Sequence, residues 1–170
     1  MPVEKLSNKY LYKLAKEVSR YLRARNLKLV TAESCTGGWI AKVVTDIPGS
    51  SEWFDHGLVT YSNTAKIDLL GVREATINKY GAVSNEVVTE MATGIIKCSA
   101  AGAAIAVSGI AGNGDGTMDK PVGTVYLAWI LNSGQLCTEC HHFKGGRAEV
   151  RIQTVATALE GLLSALAIKP

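Results

Sequence analysis

The chain has 170 residues, 47% of them hydrophobic and 19% charged, which is enough for one domain with a proper core and too few for two. Its formal net charge of +3 comes from dispersed Lys and Arg residues and not from an uninterrupted basic run, which argues against a nucleic-acid partner. No apolar run approaches the roughly twenty residues of a membrane span, and Met1-Pro-Val-Glu-Lys5 lacks the apolar core of a signal peptide, so a cytoplasmic enzyme or binding domain without a membrane partner is expected.

In chain order, Leu6 to Ala24 place Leu11, Leu14, Ala15, Val18 and Leu22 on one face, which predicts an amphipathic helix. Leu27 to Ala32 alternates and predicts the first strand, and Trp39 to Asp46 returns to helical spacing. Between them lies Thr31-Ala-Glu-Ser34-Cys35-Thr36-Gly37-Gly38, so two nucleophilic side chains fall on one strand-to-helix turn. A helix start offers unpaired backbone N–H groups to an anion or an oxyanion, and Gly37 and Gly38 would let a substrate approach the backbone. Pro48 to Ser51 is a loop, and Gly57 to Tyr61 is the second strand. Ser62 or Asn63 then caps a short helix that carries Lys66, Ile67, Leu69 and Leu70 and ends at Gly71.

Tyr80 to Ser84 reads as a connection, with Ser84 capping a helix from Asn85 to about Ala100. Ala103 to Ser108 is a buried strand feeding a glycine-rich loop, Gly109 to Gly116. Val122 to Leu131 and Leu136 to Phe143 form a hairpin around Asn132-Ser133-Gly134, and Arg147 to Ala167 is a final helix with an apolar stripe. The alternation predicts a single α/β domain over residues 1–170, a three-layer α/β/α sandwich with a mixed sheet. The Ser34 turn, the turn after Tyr61 and the Gly109 loop all fall at strand carboxyl ends, where such sheets bind ligands.

A serine needs a base. His56 precedes its strand and His141-His142 come late in theirs, so a Ser-His-Asp triad is disfavoured and Lys66 is the better candidate, provided that burial lowers its pKa. Taken alone, Lys66 would be a solvated helix residue, and the Tyr61 hydroxyl stands where it would relay a proton. Cys35 is the rival nucleophile, although a buried thiol supporting the turn is the more ordinary role. Cys137-Thr-Glu-Cys140-His141-His142 has the spacing of haem attachment or half a zinc site, but no export signal and no second ligand pair accompany it. Asp115, Asp119 and Glu52 are isolated acids of loop type, so no metal and no cofactor are expected.

Thr31 to Gly38, Val59-Thr-Tyr-Ser-Asn63 with Lys66, Gly81-Ala-Val-Ser84, Ser108-Gly-Ile-Ala-Gly112 and Lys120-Pro-Val-Gly-Thr-Val125 occur in that order. Together they resemble the CinA C-terminal domain family in its stand-alone form, over nearly the whole chain. The resemblance implies a nicotinamide-nucleotide amidohydrolase, which converts nicotinamide mononucleotide to nicotinic acid mononucleotide and ammonia in pyridine nucleotide recycling. It implies Ser34 as nucleophile, Lys66 as general base and Tyr61 assisting. Substrate contacts would come from Cys35, Thr36, Gly37, Gly38, Ser51, Ser108, Gly109 and Arg147, with Arg147 at the nucleotide phosphate. Two positions depart from the family pattern: Asn113 stands where Pro is usual, and Gly146 where Asp is usual. The alternative they carry is a paralogue that binds a nucleotide in a regulatory role with little turnover. Whether copies associate as a homo-oligomer is left open.

Overall fold

Residues 6–112, 116–131 and 134–167 are described by the computed structural model. Asn113, Asp115 and the hairpin residues Asn132 and Ser133 lie outside them. The chain runs α1 (Asn8–Ala24), β1 (Leu29–Glu33), α2 (Trp39–Thr45), a 3₁₀ turn (Ser50–Glu52), β2 (Phe54–Val59), α3 (Asn63–Leu70), α4 (Glu74–Tyr80), α5 (Asn85–Lys97), β3 (Ala103–Gly109), β4 (Thr124–Leu131), β5 (Leu136–His142) and α6 (Arg147–Ala167).

The sheet order is β2-β1-β3-β4-β5, with β2, β1 and β3 parallel and β4 and β5 antiparallel additions. From β1 the chain moves first to one side, to β2, and later to the other, to β3. That reversal opens a crevice at the carboxyl end of β1, the usual ligand position in such sheets. Leu29, Ile105, Leu127 and Trp129 pack with α1, α2 and α6 on one face. Val30, Ala104 and Ala128 pack with α3, α4 and α5 on the other. The result is the expected three-layer α/β/α arrangement with a mixed sheet, and β1 is buried throughout and β3 in all but its last residue because both their faces are covered. Among the described residues, no helix is long and apolar enough to cross a membrane.

Two local differences from the sequence expectation have physical causes. Helix α4 was unforeseen: only Thr76 and Ile77 are buried in it, and its N-cap Arg73 makes no side-chain cap bond, so neither periodicity nor a cap signals it. Strand β2 starts at Phe54, ahead of the expected Gly57, and ends at Val59, so Thr60 and Tyr61 leave the sheet and turn toward α3. At the other end of α3, a Cβ on Gly94 of α5 would meet the Leu70 carbonyl group, so α3 docks on bare α5 backbone. This contact sets how deeply the lysine on the first turns of α3 sinks beside the sheet.

In β5, Cys137 pairs with Trp129 and Cys140 with Tyr126. Residues three apart on a strand project to opposite faces, so these two thiols do not converge on a metal or a haem.

Candidate active site

The site begins with the way β1 ends. Ser34 N–H donates to Val107 O (3.1 Å) and Gly37 N–H to Ser34 O (3.1 Å), which closes a tight turn. Its last two residues, Gly37 (φ 61°) and Gly38 (φ 89°), are left-handed, a conformation that costs a β-carbon-bearing residue energy. Neither glycine borders the cavity described below. Their positive φ values shape the turn.

Glu33, only 1% exposed, holds the turn from behind. Its carboxylate accepts from Thr36 Oγ1 (2.7 Å), Ile40 N (3.0 Å) and Ala41 N (2.8 Å). Orphan donors at the start of α2 are thereby satisfied, and the negative charge sits at the positive end of the helix. Glu33→Ala would strand buried donors and is expected to cost about 3 kcal/mol, read as a lower urea midpoint in equilibrium unfolding.

Lys66 arrives from the neighbouring strand end. Ser62 caps α3 by accepting from Ala65 N (3.0 Å), which places Lys66 in the opening turns. Contrary to a solvated helix lysine, it is 1% exposed. Its Nζ lies 3.1 Å from Ser34 Oγ and donates to Thr60 O (2.8 Å) and Tyr61 O (3.3 Å). Among the described residues no carboxylate contacts it, and burial lowers its pKa below the usual lysine value. An amine in that state offers two N–H groups to the two carbonyls and a lone pair to the serine hydroxyl.

Ser34, Cys35, Tyr61, Lys66, Ser108 and Arg147 share one cavity of about 180 Å³, closed on a further side by Ala82 and Val83. Gly109 also borders it. Ser108 Oγ donates to Ala82 O (2.8 Å) and Lys120 Nζ to Val83 O (2.7 Å), so that wall is tied to the end of β3 and to the segment before β4. Arg147, the first residue of α6, donates through Nη2 to the Tyr61 hydroxyl (2.8 Å) and packs on Gly112. The Tyr61 hydroxyl thus faces Arg147, while its carbonyl meets the lysine. A larger groove of about 450 Å³ between β5 and α6 contains neither Ser34 nor Lys66. None of His56, His141 and His142 borders the Ser34 cavity.

A family model described as the CinA C-terminal domain matches residues 11–166. The chain belongs to the CinA C-terminal domain family. It is 49% identical over 157 residues to a protein of Escherichia coli K12 named nicotinamide-nucleotide amidohydrolase PncC, covering 92% of this chain and 95% of that one. The PncC of Pseudomonas putida is 51% identical over 150 residues, covering 88% and 93%. Among solved structures, the competence damage-inducible protein A of Klebsiella pneumoniae superposes with a TM-score of 0.90 at 40% identity, covering 94% of this chain and 99% of that one.

On this CinA-family frame seven of the eleven expected site residues border the cavity, and Thr36, Gly37, Gly38 and Ser51 do not. Thr36 is fully buried and spends its hydroxyl on Glu33, away from the cavity. Ser51 lies in the 3₁₀ turn before β2, whereas Ser34 follows β1 at the opposite end of parallel strands. Strand β2 spans roughly 17–20 Å, so Ser51 is no substrate contact of this cavity. Cys35 borders the cavity as an inert thiol: burial pushes its pKa up to about 12, with Glu33 adding to the rise and the Arg151 and Lys66 charges opposing it. Iodoacetamide at neutral pH is therefore expected to modify exposed Cys98, Cys137 and Cys140 and to spare Cys35, as read by intact and peptide mass. Glu33, Lys120 and Arg151 serve the site without having been singled out by sequence reasoning. The i, i+4 spacing of Arg147 and Arg151 on one helix face was the available signal for the last of these.

Proposed function

We propose that the protein hydrolyses the carboxamide of nicotinamide mononucleotide to nicotinic acid mononucleotide and ammonia in pyridine nucleotide recycling, with Ser34 as nucleophile and Lys66 as general base. One observation carries the reading: a desolvated lysine amine, with no carboxylate contact among the described residues, 3.1 Å from a serine hydroxyl on a strand-to-helix turn. The names of the PncC relatives support the substrate.

Ser34 Oγ attacks the amide carbon as its proton passes to Lys66 Nζ. The carbonyl oxygen becomes an oxyanion beside the Cys35 and Thr36 N–H groups, which make no hydrogen bond to another residue among those described. Lys66 returns the proton to the leaving nitrogen and ammonia departs. Water, deprotonated by the same amine, then cleaves the acyl-enzyme. A cavity of about 180 Å³ is smaller than the ~300 Å³ lower bound of sites enclosing a whole drug-sized ligand, so it takes the pyridine carboxamide and leaves ribose and phosphate at the rim. Arg147 stands at that rim, where a guanidinium fork suits a phosphate. Tyr61 holds it there through the 2.8 Å bond, a hold that does not depend on the carboxylate missing at Gly146.

The test is incubation with nicotinamide mononucleotide, following ammonia and the acid product together. Release no faster than from Ser34→Ala would end the amidase reading. Calorimetric binding without hydrolysis would favour the regulatory paralogue instead.

A further inference from the structure

Arg151 lies one turn beyond Arg147 on α6 and reaches beneath the Ser34 turn. Its Nη2 donates to Thr36 O at 2.7 Å, its guanidinium carbon sits 5.4 Å from the Trp39 ring centroid, and a Cβ on Gly37 would stand 3.5 Å from it. Its Nε is buried with no partner among the described residues, an arrangement that fold stability alone does not favour.

Several polar groups of the turn are already engaged. Ser34 N–H is bound to Val107 O, Ser34 O to Gly37 N–H, and the carboxylate of Glu33 takes the Thr36 hydroxyl. Thr36 O is held from outside by Arg151 and from within by Trp39 N–H at 3.3 Å. Directly after the nucleophile, the N–H groups of Cys35 and Thr36 make no hydrogen bond to another residue among those described. We propose that Arg151 is a positioning residue for amide hydrolysis: stacked on Trp39 and bound to Thr36 O, it fixes the turn so that these N–H groups meet the oxyanion. The inference rests on the amidase reading above.

Two features support it. Guanidinium is planar and carries donors at its edge, so it can stack on an indole and bind a carbonyl at once, which a lysine ammonium cannot do in the same way. The positive charge of Arg151 is also felt at Cys35, the residue directly after the nucleophile, where it opposes the rise of the thiol pKa. Charge of that sign beside the turn favours an oxyanion forming there. Because Arg147 and Arg151 leave the same face of α6, one helix aligns the ligand-binding arginine with the turn that carries the nucleophile.

The experiment compares steady-state kinetics of wild type, Arg151→Lys and Arg151→Ala on nicotinamide mononucleotide, with and without added methylguanidinium, beside their melting temperatures. Expected is a fall in kcat of about 10–100-fold in both variants, since a small misplacement at a reacting centre costs that much, with KM held within about twofold. Methylguanidinium is expected to restore part of the kcat of Arg151→Ala and none of that of Arg151→Lys, whose side chain still fills the slot. Unchanged kcat in Arg151→Ala overturns the inference, and so does a lost kcat that methylguanidinium fails to restore. A wild type no faster than Ser34→Ala overturns the amidase reading itself, which separates the two failures.

Discussion

Ser34→Ala is expected to lower ammonia release from nicotinamide mononucleotide by about 10³-fold or more, with the protein still folded and still binding nucleotide. The loss is large because no neighbour can replace the hydroxyl. Cys35, next in the chain, is held by burial as a thiol whose pKa is pushed up to about 12. The structural cost is small because Ser34 Oγ makes one described side-chain contact, with Lys66, and that lysine keeps the Thr60 and Tyr61 carbonyls. Stability within about 1 kcal/mol of wild type is expected in urea unfolding. Since Arg147 and the Ala82–Val83 wall are untouched, calorimetry should give a dissociation constant close to that of wild type. Turnover persisting in Ser34→Ala would exclude covalent catalysis by this turn.

The parts of this site that were readable in the sequence are those built from local signals. The turn announces itself through a β-branched run, two glycines and a returning helical period, and the structure places Ser34 where that punctuation puts it. The order of elements likewise carries the layered architecture, because parallel strands need helical crossovers. What was not readable depends on contacts between distant segments. Lys66 sits on a short helix with little amphipathic pattern, and its burial is decided by the end of β2 on one side and by the docking of α3 on Gly94 on the other. Ser51 enters the expected contacts only through the family resemblance, and a serine in a loop carries no sign of which end of the sheet that loop occupies. Parallel topology decides it, since the loop entering β2 and the loop leaving β1 lie at opposite ends. Helix α4 escapes the sequence for a different reason: a seven-residue segment with two buried residues and no side-chain cap bond does not rise above its neighbours.

Lys66→Met separates the chemical from the structural role of the buried amine. Methionine fills a similar volume without a base, so a fall in kcat of about 10²–10⁴-fold is expected, the usual contribution of a positioned general base. In wild type, kcat/KM should rise with pH along a limb whose midpoint lies below the ordinary lysine value, because burial favours the neutral, proton-accepting amine. The same shift has a consequence for stability, with a definite sign. A lysine whose folded pKa is lowered binds more protons when unfolded, so wild-type stability gains as pH rises from the lowered folded pKa toward the unfolded value of 10.5. At lower pH the cost of burying the charge is fully present. Methionine carries no such cost, though it leaves the Thr60 and Tyr61 carbonyls without their donor. The stability of wild type relative to Lys66→Met should therefore increase across that window and level off below it, as read from unfolding midpoints at a series of pH values. A difference that stays flat with pH would mean that the amine titrates as an ordinary lysine, and a flat kcat/KM profile beside it would remove Lys66 as the base.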